Sequence, residues 1–291
     1  MVSVELLIQQ FVNGLFFGGQ LALLAVGFTL IWGVARVLNF SHGGVFMIGA
    51  YVGVFTITFT ESWILAIILA MTVTFLIGVG TETVLVRPLR GRTEFDIAAI
   101  IVTLGLWFVL EHSMRLAFTS QQRSVPPMTR EIWIVGGIVI NVNRLLIFLI
   151  SIAAIGALFA LIKYTKFGLA VRAAAEDDQT TKLMGVNLPR TYALTFGIST
   201  ALAGLAGVLL GPIFSVYPSV GDRPFLLAFI VVMIGGLGSV RGTLIAALVL
   251  AVIRAVALIW TSAEGAMILL FACMAAVLII SPEGIGGWLD S

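Results

Sequence analysis

Charge is scarce in this chain. Only 10% of its 291 residues are Asp, Glu, Lys or Arg, against about 25% in soluble domains. With 60% hydrophobic residues and a mean hydropathy of +1.15, it carries more apolar surface than a soluble core of this length can bury. Cysteine is nearly absent. The lone Cys273 excludes an internal disulfide and a cysteine metal cluster, and within an apolar run it reads as a small buried hydrophobe. The two histidines, His42 and His112, lie in different apolar segments. They offer no metal set and no nucleophile–base pair of the kind an intramembrane enzyme needs. A net charge of +2 with no long basic run argues against nucleic acid. There is no GxxxxGKS/T phosphate loop. No basic region or small-x-small cleavage pattern marks a signal peptide, so the first apolar stretch is expected to stay as a span.

What the chain has instead is long apolar runs. A span takes roughly 20 mostly apolar residues. Candidates are Leu15–Trp32, Val45–Thr60, Trp63–Val86, Ile97–Phe118, Leu145–Ile162, Tyr192–Pro212, a run from Phe225 to Trp260 broken at Gly235–Gly242, and Ala266–Ile280. The expected fold is an all-α polytopic membrane protein, one transmembrane domain over residues 1–291, with about eight or nine helices. Small residues four apart, such as Gly14 and Gly18, Gly49 and Gly53, or Gly207 and Gly211, suit close helix packing in lipid.

Two runs are interrupted by glycine and small polar residues: Gly33–Gly44 (GVARVLNFSHGG) and Gly235–Gly242 (GGLGSVRG). Discontinuous helices at corresponding places in two halves point to a transport pathway. This nominates Asn39, Ser41, His42, Gly235, Gly236, Gly238 and Ser239 as pathway residues. The competing reading of the first break is a short turn capped by Asn39 or Ser41. Phe225–Ile234 is too short to span and reads as a half-helix. Elsewhere Glu111 and Arg115 are spaced to pair. Arg254, costly inside an apolar run, has Glu264 as a candidate partner. Asn13 and Gln20 share a helix face, for bonding to a neighbour or lining a cavity.

One substantial polar loop remains, Lys163–Arg190 (KYTKFGLAVRAAAEDDQTTKLMGVNLPR), with five basic residues and the acids Glu176, Asp177 and Asp178. Basic residues in short loops favour the cytoplasm, which places this loop, Arg36, Arg87, Arg90, Arg92 and Arg241 on that side and the N-terminus opposite. Leu169–Met184 is expected to be helical, stopped by Gly185. Leu169, Val171, Ala175, Leu183, Met184 and Val186 offer an apolar patch for a partner's groove.

Three stretches resemble a known family in order along the chain. Gly168–Pro212 is similar to the coupling-loop region of branched-chain amino acid ABC importer permeases of the LivH type. Val26–Tyr51 is similar to that family's first spans, with Ser41 where its NFAHG-like signature has alanine. Val231–Leu248 is similar to its late glycine-rich segment. The resemblance implies an inner-membrane permease of a bacterial ATP-driven importer. It implies a second, related permease subunit, two cytoplasmic ATP-binding subunits and a periplasmic substrate-binding protein as partners. This chain would bind no cofactor, and the ATPases would use ATP and Mg. The family's loop role carries onto Arg172, Ala173, Ala174, Ala175, Glu176 and Gly185, although the Glu176–Gly185 spacing departs from the general importer EAA motif. Related permeases for urea or short-chain amides leave the substrate open. A self-sufficient channel or ion-coupled carrier is the reading from another class, and the scarcity of mid-membrane ionisable groups counts against the carrier.

Overall fold

A computed structural model describes residues 4–286. Eight of its helices are long and apolar enough to cross a membrane. α1 (Val4–Ala35), α2 (His42–Thr60), α3 (Trp63–Gly80) and α4 (Phe95–Phe118) form the first half. A hairpin of β1 (Ile132–Val135) and β2 (Ile138–Asn141) follows, then α5 (Val142–Tyr164), α6 (Lys166–Glu176) and α7 (Asp178–Leu183). α8 (Leu188–Phe214), α9 (Asp222–Gly235), α10 (Val240–Ala257) and α11 (Ala263–Ile280) complete the chain. α3 runs on through a π-helical turn, Thr81–Val86, and a 3₁₀ turn, Arg87–Leu89. The ladder loosens there ahead of Pro88, which has no N–H to donate.

α1 and α8 are buried on almost all sides, while α4, α5 and α11 turn most of their surface outward. Lipid supplies no hydrophobic force between helices, so close approach of small residues holds the bundle. A Cβ added at Gly18 would lie 3.1 Å from Leu248 Cα on α10.

The two halves repeat with inverted direction. α1 packs on α9 and α10 as α8 packs on α2 and α3, and α4 meets α2 as α11 meets α9. α1 ends at the pole where α8 begins. The residue after each is a non-glycine in the left-handed region, Arg36 (φ 54) and Ser215 (φ 59). The chain then turns back extended and starts a new helix, α2 or α9, inside the bundle. Residues 36–41 therefore correspond to 215–221. This corrects the pairing of 33–44 with 235–242: the second glycine-rich break is the α9–α10 turn, and its counterpart is the α2–α3 turn at Glu61 and Ser62. Ser62 and Ser239 cap the helices that follow, accepting from Leu65 N at 3.3 Å and Gly242 N at 3.2 Å.

One pole carries α6 and α7 and is called the loop end. The other carries the β-hairpin, tied to α1 by Gln9, whose amide donates to Val139 O at 2.9 Å and accepts from Val139 N at 2.7 Å. α9 has 14 residues, about 21 Å of helix, short of the ~30 Å hydrocarbon core. It starts within the bundle, consistent with the half-helix reading.

Candidate docking loop and polar cavities

At the loop end, Thr165 closes α5 and caps α6, its hydroxyl accepting from Gly168 N at 3.0 Å. Arg172 donates to the Ile162 carbonyl, fastening α6 to α5. The single helix expected over 169–184 is two helices. Asp177 takes extended geometry (φ −151, ψ 110) and caps α7, its carboxylate accepting from Gln179 N at 2.9 Å, Thr180 N at 3.2 Å and the Thr180 hydroxyl. Aspartate favours such local bonds over an unbroken helix, and those from Thr180 hold its carboxyl below the usual carboxylate range. Gly185 (φ 83) ends α7 as expected. Asn187 caps α8, accepting from Arg190 N at 3.0 Å.

The exposed face of this loop is apolar: Leu169, Leu183 and Met184 are 61%, 86% and 80% exposed. A groove of about 600 Å³ runs beside them, lined by Lys166, Ala173, Thr180 and Val186 among others. Val171 and Ala174 turn inward against the bundle, which removes Val171 from the expected patch. Glu176 lies on the rim of this groove and of a cavity of about 680 Å³ behind it.

That cavity holds the charged cluster that the sequence reading missed. Glu82 on the π-helical turn is fully buried and accepts from Arg87 Nη2 at 2.8 Å and Nε at 3.2 Å. Arg90 Nε lies 3.7 Å from its other oxygen, and the Arg90 guanidinium stands 4.1 Å from the Tyr192 ring centroid. Burial lowers the Arg90 pKa, and Glu82 opposes the shift. Arg87 also donates to Pro189 O at 3.1 Å, joining the end of α3 to the start of α8. π-helical turns are frequent at functional sites. The only signal in the sequence was Glu82 followed by Arg87 and Arg90 at the tail of an apolar run.

A third cavity, of about 470 Å³, opens at the α9–α10 turn and is lined by Trp32, Arg36, Ala175, Gly236, Gly238 and Ser239, among others. Ala175 thus borders both cavities at this end. Gly238 N donates to Thr29 Oγ1 at 3.0 Å, which satisfies the freed backbone. Gly235 packs against Gly242 and Thr243. At Gly236 φ is +94, and a Cβ there would lie 2.7 Å from Glu283 O. Left-handed geometry alone costs a side chain ~1–2 kcal/mol. Gly236→Leu is therefore expected to lower import by about tenfold, that being the effect of such strain on a transport step. Import per permease in proteoliposomes checks this, and an unchanged rate would make the break a plain loop.

Asn39, Ser41 and His42 are fully buried. Asn39 Oδ1 accepts from Ser41 N at 3.2 Å and from Ser41 Oγ at 2.6 Å. Ser41 precedes α2 but its side chain caps nothing, because its hydroxyl is turned to Asn39. His42 Nε2 lies 3.2 Å from Leu24 O on α1. Thr103 on α4 supports the re-entering backbone, accepting from Phe40 N at 3.2 Å and donating to Leu38 O at 3.3 Å.

Toward the hairpin end a cavity of about 320 Å³ lies among α1, α8, α9, α10 and α11. Gln20, Gln122, Tyr217, Arg223, Arg254 and Glu264 supply its polar lining, and Leu21, Leu24, Leu210, Leu227 and Met267 part of its apolar wall. Glu264 faces Arg223 at 3.7 Å rather than Arg254, whose guanidinium stands 4.9 Å from the Phe17 ring centroid. Among the described residues Gln20 bonds to no neighbouring helix, and Asn13 only accepts from Gln9 at 3.5 Å. Glu111 and Arg115 pair at 2.6 Å as expected.

An all-helical bundle with inverted halves, re-entering segments and an exposed helical loop defines a membrane permease. The model of the family described as branched-chain amino acid transport system, permease component, matches residues 10–278, and the chain belongs to that family. It is 34% identical to the high-affinity branched-chain amino acid transport system permease protein LivH of Salmonella typhimurium, over 96% of this chain and 95% of that one. It is 32% identical to the corresponding permease BraD of Pseudomonas aeruginosa, with the same coverage of both chains. A more distant relative, the fructose import permease FrcC of Rhizobium meliloti, is 25% identical over 80% of this chain and 63% of its own. No solved structure matches this chain.

Proposed function

We propose that this chain is one of two membrane-spanning subunits of an ATP-driven importer of branched-chain amino acids in a bacterial inner membrane. A second, related permease completes the pathway. A periplasmic binding protein delivers substrate at the hairpin end. Two cytoplasmic ATPases dock at the loop end and use ATP and Mg, while this chain binds no cofactor. The observation that carries the reading is the exposed apolar face of α6 and α7 beside its groove, with Glu176 on the rim.

The mechanism follows from the attachments. α6 is fastened to α5 through Thr165 and Arg172, and the Asp177 and Asn187 caps make α7 and the start of α8 firm. Closure of the ATPases displaces the loop helices. α5 and α8 follow, and the halves rock so that the pathway opens to each side in turn. Co-purification from the native membrane tests the assembly: stoichiometric ATPases and a second permease are expected, whereas the chain alone, active in liposomes without ATP, would mean a channel or carrier. Glu176→Lys reverses the rim charge and is expected to cut import about tenfold, in the range of typical coupling energies, while insertion and ATP hydrolysis persist. Normal import by this variant would remove Glu176 from the docking surface.

A further inference from the structure

We infer that the cavity at the hairpin end is a transient binding site for a zwitterionic amino acid with an aliphatic side chain, its carboxylate on Arg254 and its ammonium on Gln20. The inference rests on the import reading and gives this single chain a substrate contact of its own, apart from any pathway between two permeases.

Three observations converge. Gln20 Oε1 is a buried acceptor with no donor among the described residues, on a side chain 2% exposed that lines the cavity. Buried acceptors are normally satisfied, so this one is open to a ligand's N–H. Arg254 is half-buried in the same wall and has no carboxylate partner among the described residues, only the ring of Phe17. Arg254 stands in the last turn of α10 and lines the cavity, and guanidinium matches a carboxylate in two parallel bonds. Charges facing the site sum to net positive, because Glu264 answers only one of Arg223 and Arg254. Thus the cavity favours an anionic group at one wall and a donor at Gln20.

The remaining wall selects the side chain. Leu21, Leu24, Leu210, Leu227 and Met267 leave an apolar space, and the cavity of about 320 Å³ lies at the small end of the ~300–1,000 Å³ range of ligand sites. Against those five residues a polar side chain would lose its water without a partner. The site needs only weak affinity, since a transported molecule must leave it. Position between the binding protein's expected docking side and the bundle interior suits a hand-over step.

The test uses the full importer complex without binding protein, in lipid nanodiscs. A reporter cysteine, Met267→Cys, is placed in a Cys273→Ser background, and its alkylation rate is read. Saturating L-leucine is expected to slow alkylation by about tenfold, ~1.4 kcal/mol of protection. Isocaproate, which lacks the ammonium, and isoamylamine, which lacks the carboxylate, are expected to protect far less. Arg254→Gln should abolish protection and Arg254→Lys restore part of it. Equal protection by isocaproate or by isoamylamine would overturn the zwitterion site in favour of a generic apolar or lipid-headgroup pocket. No protection by leucine would overturn it outright. Leucine import by the complete system is measured in parallel. Import without protection overturns the site alone, while a wild-type complex that imports no branched-chain amino acid overturns the import reading.

Discussion

Gly207→Leu is expected to abolish the folded permease. A Cβ at Gly207 on α8 would collide with the Phe46 carbonyl oxygen and lie 2.8 Å from Ala50 N, both backbone atoms of α2. Side chains can yield by changing rotamer, but a packed helix backbone cannot. The contact is one of a set: Gly49 on α2 abuts Gly204 on α8, and Gly204 abuts Thr74 on α3. Prising α8 from α2 therefore also strips the α8–α3 seam. Overpacked soluble cores lose ~1–3 kcal/mol, and the penalty here is expected above that range because no water-driven force re-closes the gap in lipid. Size-exclusion profiles in mild detergent should show no monodisperse peak for Gly207→Leu. Gly156→Leu is the control, since nothing lies within 4 Å of a Cβ there. A normal peak for Gly207→Leu would mean that α2 and α8 do not approach this closely.

Hydropathy made the spans legible because lipid demands a continuous apolar run whatever surrounds the helix. Expected and observed ends agree within a few residues for α2, α4, α5, α8 and α11, and α3 reaches its expected end at Val86 only through the π-helical turn. α1 departs most, beginning at Val4 rather than Leu15. Its first turns leave the bundle, and Glu5, Gln9 and Gln10 break the run there while Gln9 holds the hairpin. The hairpin itself had a signal, two short β-branched runs about Gly136 and Gly137, that a search for spans passed over. The pairing of the breaks was misread for a physical reason. Glycine marks close approach and positive φ, whereas the inverted repeat is defined by direction and packing, and its second re-entering segment, 215–221, contains glycine only at Gly221. Of the nominated pathway residues, Gly236, Gly238 and Ser239 border a cavity at the loop end, and Asn39, Ser41 and His42 lie in packed interior. The polar cavities were the least legible. Gln20 on α1 lies far in sequence from Arg254 and Glu264 on the consecutive helices α10 and α11, and only tertiary packing brings it to them.

The second large effect is expected at Glu82. Its carboxylate is fully buried at the end of α3 and faces two guanidinium groups, so Glu82→Ala leaves their charge uncompensated. Removing one partner of a buried pair costs ~3–5 kcal/mol. Arg87 is 40% exposed and can turn to water, which lowers the cost. Arg90 has less freedom: its side chain is 26% exposed and lies over Tyr192, and its Nε and Nη2 have no hydrogen-bond partner among the described residues. About 3 kcal/mol is therefore expected, visible as a lowered melting temperature in detergent. Adding Arg90→Ala should return part of it, because the stranded cation is then gone, and a double-mutant cycle measures that coupling. Function should suffer beyond stability. The cluster joins the end of α3 to the first turns of α8, the place to which the proposed docking loop would deliver its movement. Loosening that joint lets α7 move without carrying α8, so ATP hydrolysis should persist while import per ATP falls. Wild-type melting and wild-type coupling in Glu82→Ala would mean that packing alone holds this pole, leaving the buried charges with no part in transmitting the stroke.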